Sequence, residues 1–272
     1  MLRKNSLILI IAVVLVVMME WLSSRRHTLF LYTVLCLVCS LSILPVTQTF
    51  YEYRSESTLR TGVPAMSYFA MGMQESSRGN GWYNGFNFTT YQDSGMDTDT
   101  TVELSRQFIS DRITYFQEHP GYAAGFYFNK FLSQWTDGTY ASRQATLATF
   151  GGRHPLVEYW YTGAGSNLYI GYCNIYQNII YLGCLAGALS ALLKRRKYPL
   201  YVWIGMIGAF GGFLFHMIWE ANARYIFLYS LCLLPYAANG LAEINNTFFL
   251  GKNRQNTQGH TEDATKTPST AA

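Results

Sequence analysis

The sequence predicts an α-helical integral membrane protein with about five transmembrane helices and one mainly helical extracytoplasmic domain. Three observations carry this prediction. Five apolar stretches occupy residues 7–22, 28–46, 169–193, 200–219 and 225–241. Basic residues collect at the ends of these stretches. A polar, aromatic-rich segment of roughly 120 residues separates the first two stretches from the last three.

A helix needs about 20 residues to cross the hydrocarbon layer, so the second, third and fourth stretches are full spans. The first and fifth are shorter and need flanking anchors. The first two form a hairpin over residues 1–46, closed by Ser23-Ser24-Arg25-Arg26-His27, with Pro45 expected to mark the exit of the second span. A three-span region over residues 169–245 follows the central segment. A polar, Thr-rich cytoplasmic tail from residue 246 is expected to be disordered.

Arg25 and Arg26, then Lys194, Arg195, Arg196 and Lys197, then Lys252 and Arg254 fall on one side if the spans alternate. The positive-inside rule assigns that side to the cytoplasm and the central segment to the exterior. The net charge of +4 forms no continuous basic stripe, so nucleic acid is not an expected partner. Arg3 and Lys4 are then on the wrong side. Met19-Glu20-Trp21 is not a signal-peptide cleavage site, so the expectation is that the chain begins inside a longer membrane protein.

The central segment, residues 47–168, has the aromatic and glycine content of a folded domain. Thr100-Thr101-Val102-Glu103 reads as a capping box, with Val102, Ile109, Ile113 and Phe116 on one helical face. His119-Pro120 ends that helix, and Pro120 opens another that runs to Trp135 and packs Tyr122, Phe126, Phe131 and Trp135. Residues 78–85 form a glycine-containing loop matching neither a P-loop nor a dinucleotide fingerprint. Asn87-Phe88-Thr89 has the pattern of a glycosylation acceptor.

All five cysteines lie in the apolar stretches, where Cys36-x-x-Cys39 reads as packing residues and not as a redox pair. The stretches also carry Gly183-x-x-x-Gly187 and Gly208-x-x-x-Gly212, which permit close helix approach. A short basic loop joins these two spans, so they are expected to be antiparallel neighbours packed through these faces or against other helices. No metal-ligand spacing, nucleophile elbow or cofactor motif is present, and no catalytic residue is assignable.

The most informative string is Glu220-Ala221-Asn222-Ala223-Arg224-Tyr225, where the fourth span meets the fifth. Charge at a membrane edge is costly unless it pairs or holds something charged. If the fourth helix continued past Trp219, His216, Glu220 and Arg224 would share one face at i, i+4 and i+8. Arg224 could then hold a phosphate in its planar fork, with Glu220 orienting it. The alternative is an interfacial ion pair between Glu220 and Arg224, with His216 in packing.

Phe213-Leu214-Phe215-His216-Met217-Ile218-Trp219-Glu220-Ala221-Asn222-Ala223-Arg224-Tyr225, with Leu234-Pro235-Tyr236 and Gly240-Leu241 after it, resembles the late helices of bacterial GT-C class glycosyltransferases. These belong to the protein mannosyltransferase and aminoarabinose transferase superfamily, in its Gram-positive type. Met71-Gly72-Met73-Gln74, Gly81-Trp82-Tyr83-Asn84, Lys130-Phe131-Leu132-Ser133-Gln134-Trp135 and Asn174-Ile175-Tyr176-Gln177 fit the same family. The likeness spans about residues 30–245 and implies handling of a polyprenyl-phosphate-linked sugar at the outer membrane face.

The family's catalytic acid sits on a first outer loop that the resemblance leaves unmatched, so the likeness is to the C-terminal half. That implies an N-terminal half or another membrane subunit as partner, besides the lipid bilayer and the sugar donor. A noncatalytic subunit or scaffold, binding a partner or a cell-wall polymer, is the rival expectation.

Overall fold

The computed structural model describes residues 6–25, 27–58, 62–150 and 154–247; Arg3, Lys4, Arg26, Lys252, Arg254 and the expected tail beyond residue 247 lie outside them. The described residues form α1 (Ser6–Ser24), α2 (His27–Ser55), α3 (Ala65–Gly72), α4 (Phe86–Asp93), α5 (Thr98–Glu118), α6 (Pro120–Trp135), α7 (Ser142–Phe150), α8 (Pro155–Tyr161) and α9 (Ser166–Leu193). A 3₁₀ turn (Leu200–Trp203), α10 (Ile204–Ile218) and α11 (Ala223–Asn245) complete the series. Five helical segments, α1, α2, α9, the 3₁₀ turn with α10, and α11, are long and apolar enough to cross a membrane. The protein is an α-helical membrane protein.

Two compact units divide the chain. The first holds Met1–Asn174 and Pro199–Cys232, and the second Ile175–Tyr198 and Leu233–Ala272.

In the first unit α1 packs along α10. A Cβ on Gly211 would lie 3.1 Å from Ile8, and one on Gly208 3.8 Å from the Cβ of Ala12, so the helices run antiparallel. Arg25 and Pro199 are thereby at one end, and Trp219 at the other. The glycines of Gly208-x-x-x-Gly212 serve α1 and the ring of Tyr229 on α11, each touching a different neighbour.

Pro45 does not end α2, which continues to Ser55. Proline's φ is compatible with a helix, and a lipid-facing backbone has nowhere else to place its polar groups. At 29 residues α2 is about 43 Å long, beyond the roughly 30 Å of hydrocarbon. Cys36 and Cys39 are exposed on it as free thiols, so they face outward and do not pack inside the protein.

The extramembrane domain is built on α3, α4, α5 and α6. Ala70, Met73, Ile109, Phe116 and Phe126 form its core, with Met66, Phe69, Phe86, Phe108, Ala123 and Tyr127 packed around them. Helix α5 begins three residues before the expected capping box. Asp97 is its N-cap, with a carboxylate oxygen 2.6 Å from the Thr100 amide, so one of the unpaired donors of the first turn is satisfied. That bond holds the Asp97 carboxyl below its ordinary range.

The buried face of α5 is Thr101, Ser105, Ile109 and Phe116, while Ile113 is exposed. The junction at His119-Pro120 is as expected. Asn87 is only 4 % exposed, so the Asn87-Phe88-Thr89 triplet does not present a glycan acceptor.

In the second unit the later part of α9 packs on the later part of α11. A Cβ on Gly183 would lie 2.7 Å from the Ala237 carbonyl oxygen, and one on Gly187 3.3 Å from the Gly240 Cα. The small-residue motif of the third span therefore serves the fifth. At the basic end, Glu243 takes ion pairs from Lys194 and Arg196 and a hydrogen bond from Ser190 at 3.1 Å.

Gly183→Leu should cost about 1–3 kcal/mol by overpacking, whereas Gly125→Ala, at a helical site with open space around it, should gain up to about 1 kcal/mol. Thermal unfolding of both variants in detergent reads the two opposite shifts.

Candidate functional site

Helix α10 stops at Ile218, and Trp219 is extended with ψ 177°. Residues 219–222 then run beside the glycine loop as a short parallel pairing between Trp82 and Ala221. The Ala221 amide donates to the Gly81 carbonyl at 2.7 Å, and the Gly81 amide donates to Gln74 O at 2.7 Å. Helix α11 restarts at Ala223, with Asn222 Oδ1 accepting from the Arg224 amide at 3.1 Å. The shared helical face expected for His216, Glu220 and Arg224 does not exist, because the helix is broken between the first and the last of them.

The break is held by Lys130, on the buried stripe Phe126, Lys130, Gln134 of α6. Its side chain is fully buried. Nζ donates to the Gly72 carbonyl at the end of α3 at 2.5 Å and to the Trp219 carbonyl at the exit of α10 at 2.8 Å. These are C-terminal carbonyls, the negative ends of two helix dipoles.

Space here is tight. A Cβ on Gly72 would meet the Trp219 carbonyl carbon at 2.6 Å, and one on Gly81 would meet Lys130 Nζ at 2.8 Å. Gly81 also has φ +74°, a conformation glycine adopts without strain. Trp82 completes the seam by donating Nε1–H to Ser133 Oγ at 2.9 Å.

Glu220 is buried, with its charge partly balanced by Lys130. It accepts from the Tyr225 hydroxyl at 3.3 Å, and Arg224 Nη2 donates to that same hydroxyl at 3.3 Å. Glu220 and Arg224 are therefore linked through a phenol and not by the direct ion pair that was the alternative.

His216 is buried at the last turn of α10, Nδ1 3.2 Å from the Glu220 backbone oxygen, and its ring stacks on Tyr225 with centroids 5.1 Å apart. Its Nε2 is buried without a hydrogen-bond partner. Arg224 is exposed, with its guanidinium 5.2 Å from the Tyr225 ring centroid.

Of the three residues singled out from sequence, two are buried supports and one faces outward. Lys130, Gly81 and Tyr225 have no role of their own in the sequence reading, and the structure makes them the residues that hold the break and link Glu220 to Arg224. The signal for Lys130 was its spacing, four residues from Phe126 and from Gln134 on a face otherwise committed to the core. Among the described residues no group of three or more His, Cys, Asp or Glu side chains could hold a metal ion. Comparison with family models, curated proteins and solved structures returned no match.

Burial pushes the Lys130 ammonium down to about 7, against a smaller upward pull from Glu220. Burial also raises the Glu220 carboxyl, opposed by Tyr225, Arg224 and Lys130. Below about 7 both folded and unfolded chains carry the Lys130 proton, and the cost of burying the charge is fully present. As pH rises from about 7 toward the ordinary 10.5 the unfolded chain binds more protons than the folded one, so this group makes stability increase. Glu220 acts in the opposite sense: its folded carboxyl lies above the ordinary 4.5, so the penalty for burying its charge grows as pH rises from there.

Melting temperature of the wild-type protein should therefore contain a rising component above pH 7 that Lys130→Met lacks. At neutral pH Lys130→Met should be less stable by about 2–5 kcal/mol, because two buried carbonyls lose their donor. A neutral-pH stability equal to wild type would show that Lys130 does not hold the break.

Proposed function

We propose that the chain is a membrane glycosyltransferase-type protein that holds a polyprenyl-phosphate-linked sugar at the outer membrane face. Arg224 is the phosphate contact, and Glu220 and His216 are its supports. The observation that carries this reading is the isolation of one exposed guanidinium at the first turn of α11, where every other charged side chain of the junction is buried.

The physical fit is threefold. A phosphate approaching Arg224 meets a planar donor fork and the positive end of the α11 dipole together. The Tyr225 hydroxyl and the buried Glu220 behind it restrict the guanidinium without neutralising it by direct contact. A donor with a long polyprenyl tail must also keep that tail in the bilayer, and the start of an apolar spanning helix is where its phosphate would come to rest. The likeness of the string at residues 213–225 to GT-C enzymes points the same way.

A second reading, a noncatalytic membrane subunit or scaffold, is favoured by the orientation of Glu220. The site's own carboxylate is buried, bonded to the Tyr225 hydroxyl and within electrostatic reach of Lys130, an arrangement suited to balancing a cation and not to exchanging protons with an acceptor.

Binding of a short-chain polyprenyl-phosphate sugar to the purified protein in detergent separates the readings. Arg224→Ala should weaken it about tenfold to a hundredfold, the worth of a hydrogen bond to a charged group, and Arg224→Lys should weaken it less. Equal affinities for wild type and Arg224→Ala would remove the site assignment, and no binding by the wild type would favour the scaffold.

A further inference from the structure

Helix α8 is short, and its two faces are unlike. Tyr161 packs its ring on Tyr169 of α9, centroids 5.0 Å apart, and its carbonyl accepts from Arg143 Nε at 2.6 Å. Ser142 Oγ and the Tyr169 hydroxyl lie 2.8 Å apart, which ties α7 to the same turn of α9. This inner face is fixed by the protein itself.

The outer face carries Leu156, Tyr159 and Trp160 at i, i+3 and i+4, exposed by 63 %, 51 % and 38 %. The two rings meet edge to face at 5.1 Å. Gly165 lies beneath them, where a Cβ would come 2.7 Å from the Tyr159 ring and 2.9 Å from that of Trp160.

A tight turn connects this face to a membrane span. The Gly163 amide donates to Glu158 O at 2.7 Å and the Gly165 amide to Tyr159 O at 3.0 Å, and α9 begins at the next residue. Leu168 and Tyr172 then stand exposed one turn apart on the first part of α9. Exposed apolar side chains thus stand on α8 and, across that tight turn, on the start of a helix that is long and apolar enough to cross the bilayer.

We propose that α8 is an interfacial helix, lying in the lipid headgroup layer with Leu156, Tyr159 and Trp160 against the membrane that α9 enters. Tyrosine and tryptophan have an apolar body and one polar group, so both prefer that layer to water or to hydrocarbon. Leu156 supplies the apolar anchor beneath them. Glu158, on the opposite side of the helix, stays in water. This inference requires only that α9 spans a bilayer and does not depend on the sugar-donor reading.

The test is fluorescence quenching in nanodiscs, with Trp160→Phe used to isolate the contribution of Trp160 from that of the other tryptophans. The exchange keeps a ring on an exposed site, so the fold is preserved. In lipids brominated on the upper acyl carbons, the wild-type minus Trp160→Phe difference should be quenched by roughly half or more, since an interfacial helix sinks its apolar face about 5–10 Å. Bromines near the chain ends should quench it less. A difference signal untouched by either lipid and quenched by aqueous iodide would place the face in water. One shielded from lipid and iodide alike would place it against protein. Either result overturns the proposal.

Discussion

One ammonium group sets the shape of the junction between the extramembrane domain and the spans. Lys130 lies between the last carbonyl of α3 and the exit carbonyl of α10. An unpartnered buried ammonium costs several kcal/mol in lost hydration. Here two helix dipoles converge on it through their negative ends, and the Glu220 carboxylate lies near enough to act on its charge. The cation substitutes for the missing amides at both helix ends, so neither stretch of backbone is left unsatisfied in a water-poor place. The arrangement depends on glycine at 72 and 81, since a methyl at either position would occupy space taken by backbone or by the lysine itself.

With the break held open, the polar residues of the junction divide into an inner and an outer set. An unbroken helix from His216 to Arg224 would run about 12 Å and carry its charges along one side. The extended residues 219–222 instead turn Glu220 back into the protein and leave Arg224 outside. The Tyr225 hydroxyl connects the two without letting them neutralise each other. His216 completes the support from below, with one nitrogen against the Glu220 carbonyl and its ring against Tyr225.

The spans were legible to within a few residues, except where α2 overruns Pro45, because length and apolarity are local properties that lipid enforces. The α5–α6 boundary was legible for a similar reason, since proline's covalent geometry at residue 120 needs no tertiary help. The break after Ile218 was not. Trp219-Glu220-Ala221-Asn222 contains neither glycine nor proline, and what stops the helix is the Gly81 carbonyl, the Lys130 ammonium and the Trp82 seam, all distant in sequence. The small-residue motifs show the same division. Their spacing announces close approach, but whether Gly183 meets α10 or α11 is decided by the complementary surface of Ala237 and Gly240. Asp97 outcompeted the expected cap because a carboxylate reaching the Thr100 amide allows one more turn of α5.

Span length explains why the junction's charges can be kept at all. The 3₁₀ turn and α10 together rise about 30 Å, which matches the hydrocarbon thickness with little to spare. In sequence the span follows the basic residues 194–197 and ends at Trp219, an aromatic residue suited to the interface. A span of this length is about as long as the hydrocarbon layer is thick, which suits a break at its edge. Had α10 been two turns longer, Glu220 and Arg224 would have stood on a helical shaft in water with no reason to be buried or paired. Had it been two turns shorter, both would have entered lipid at a cost of a few kcal/mol each. At this length Glu220 can be buried within electrostatic reach of Lys130, and Arg224 is left exposed at the first turn of α11.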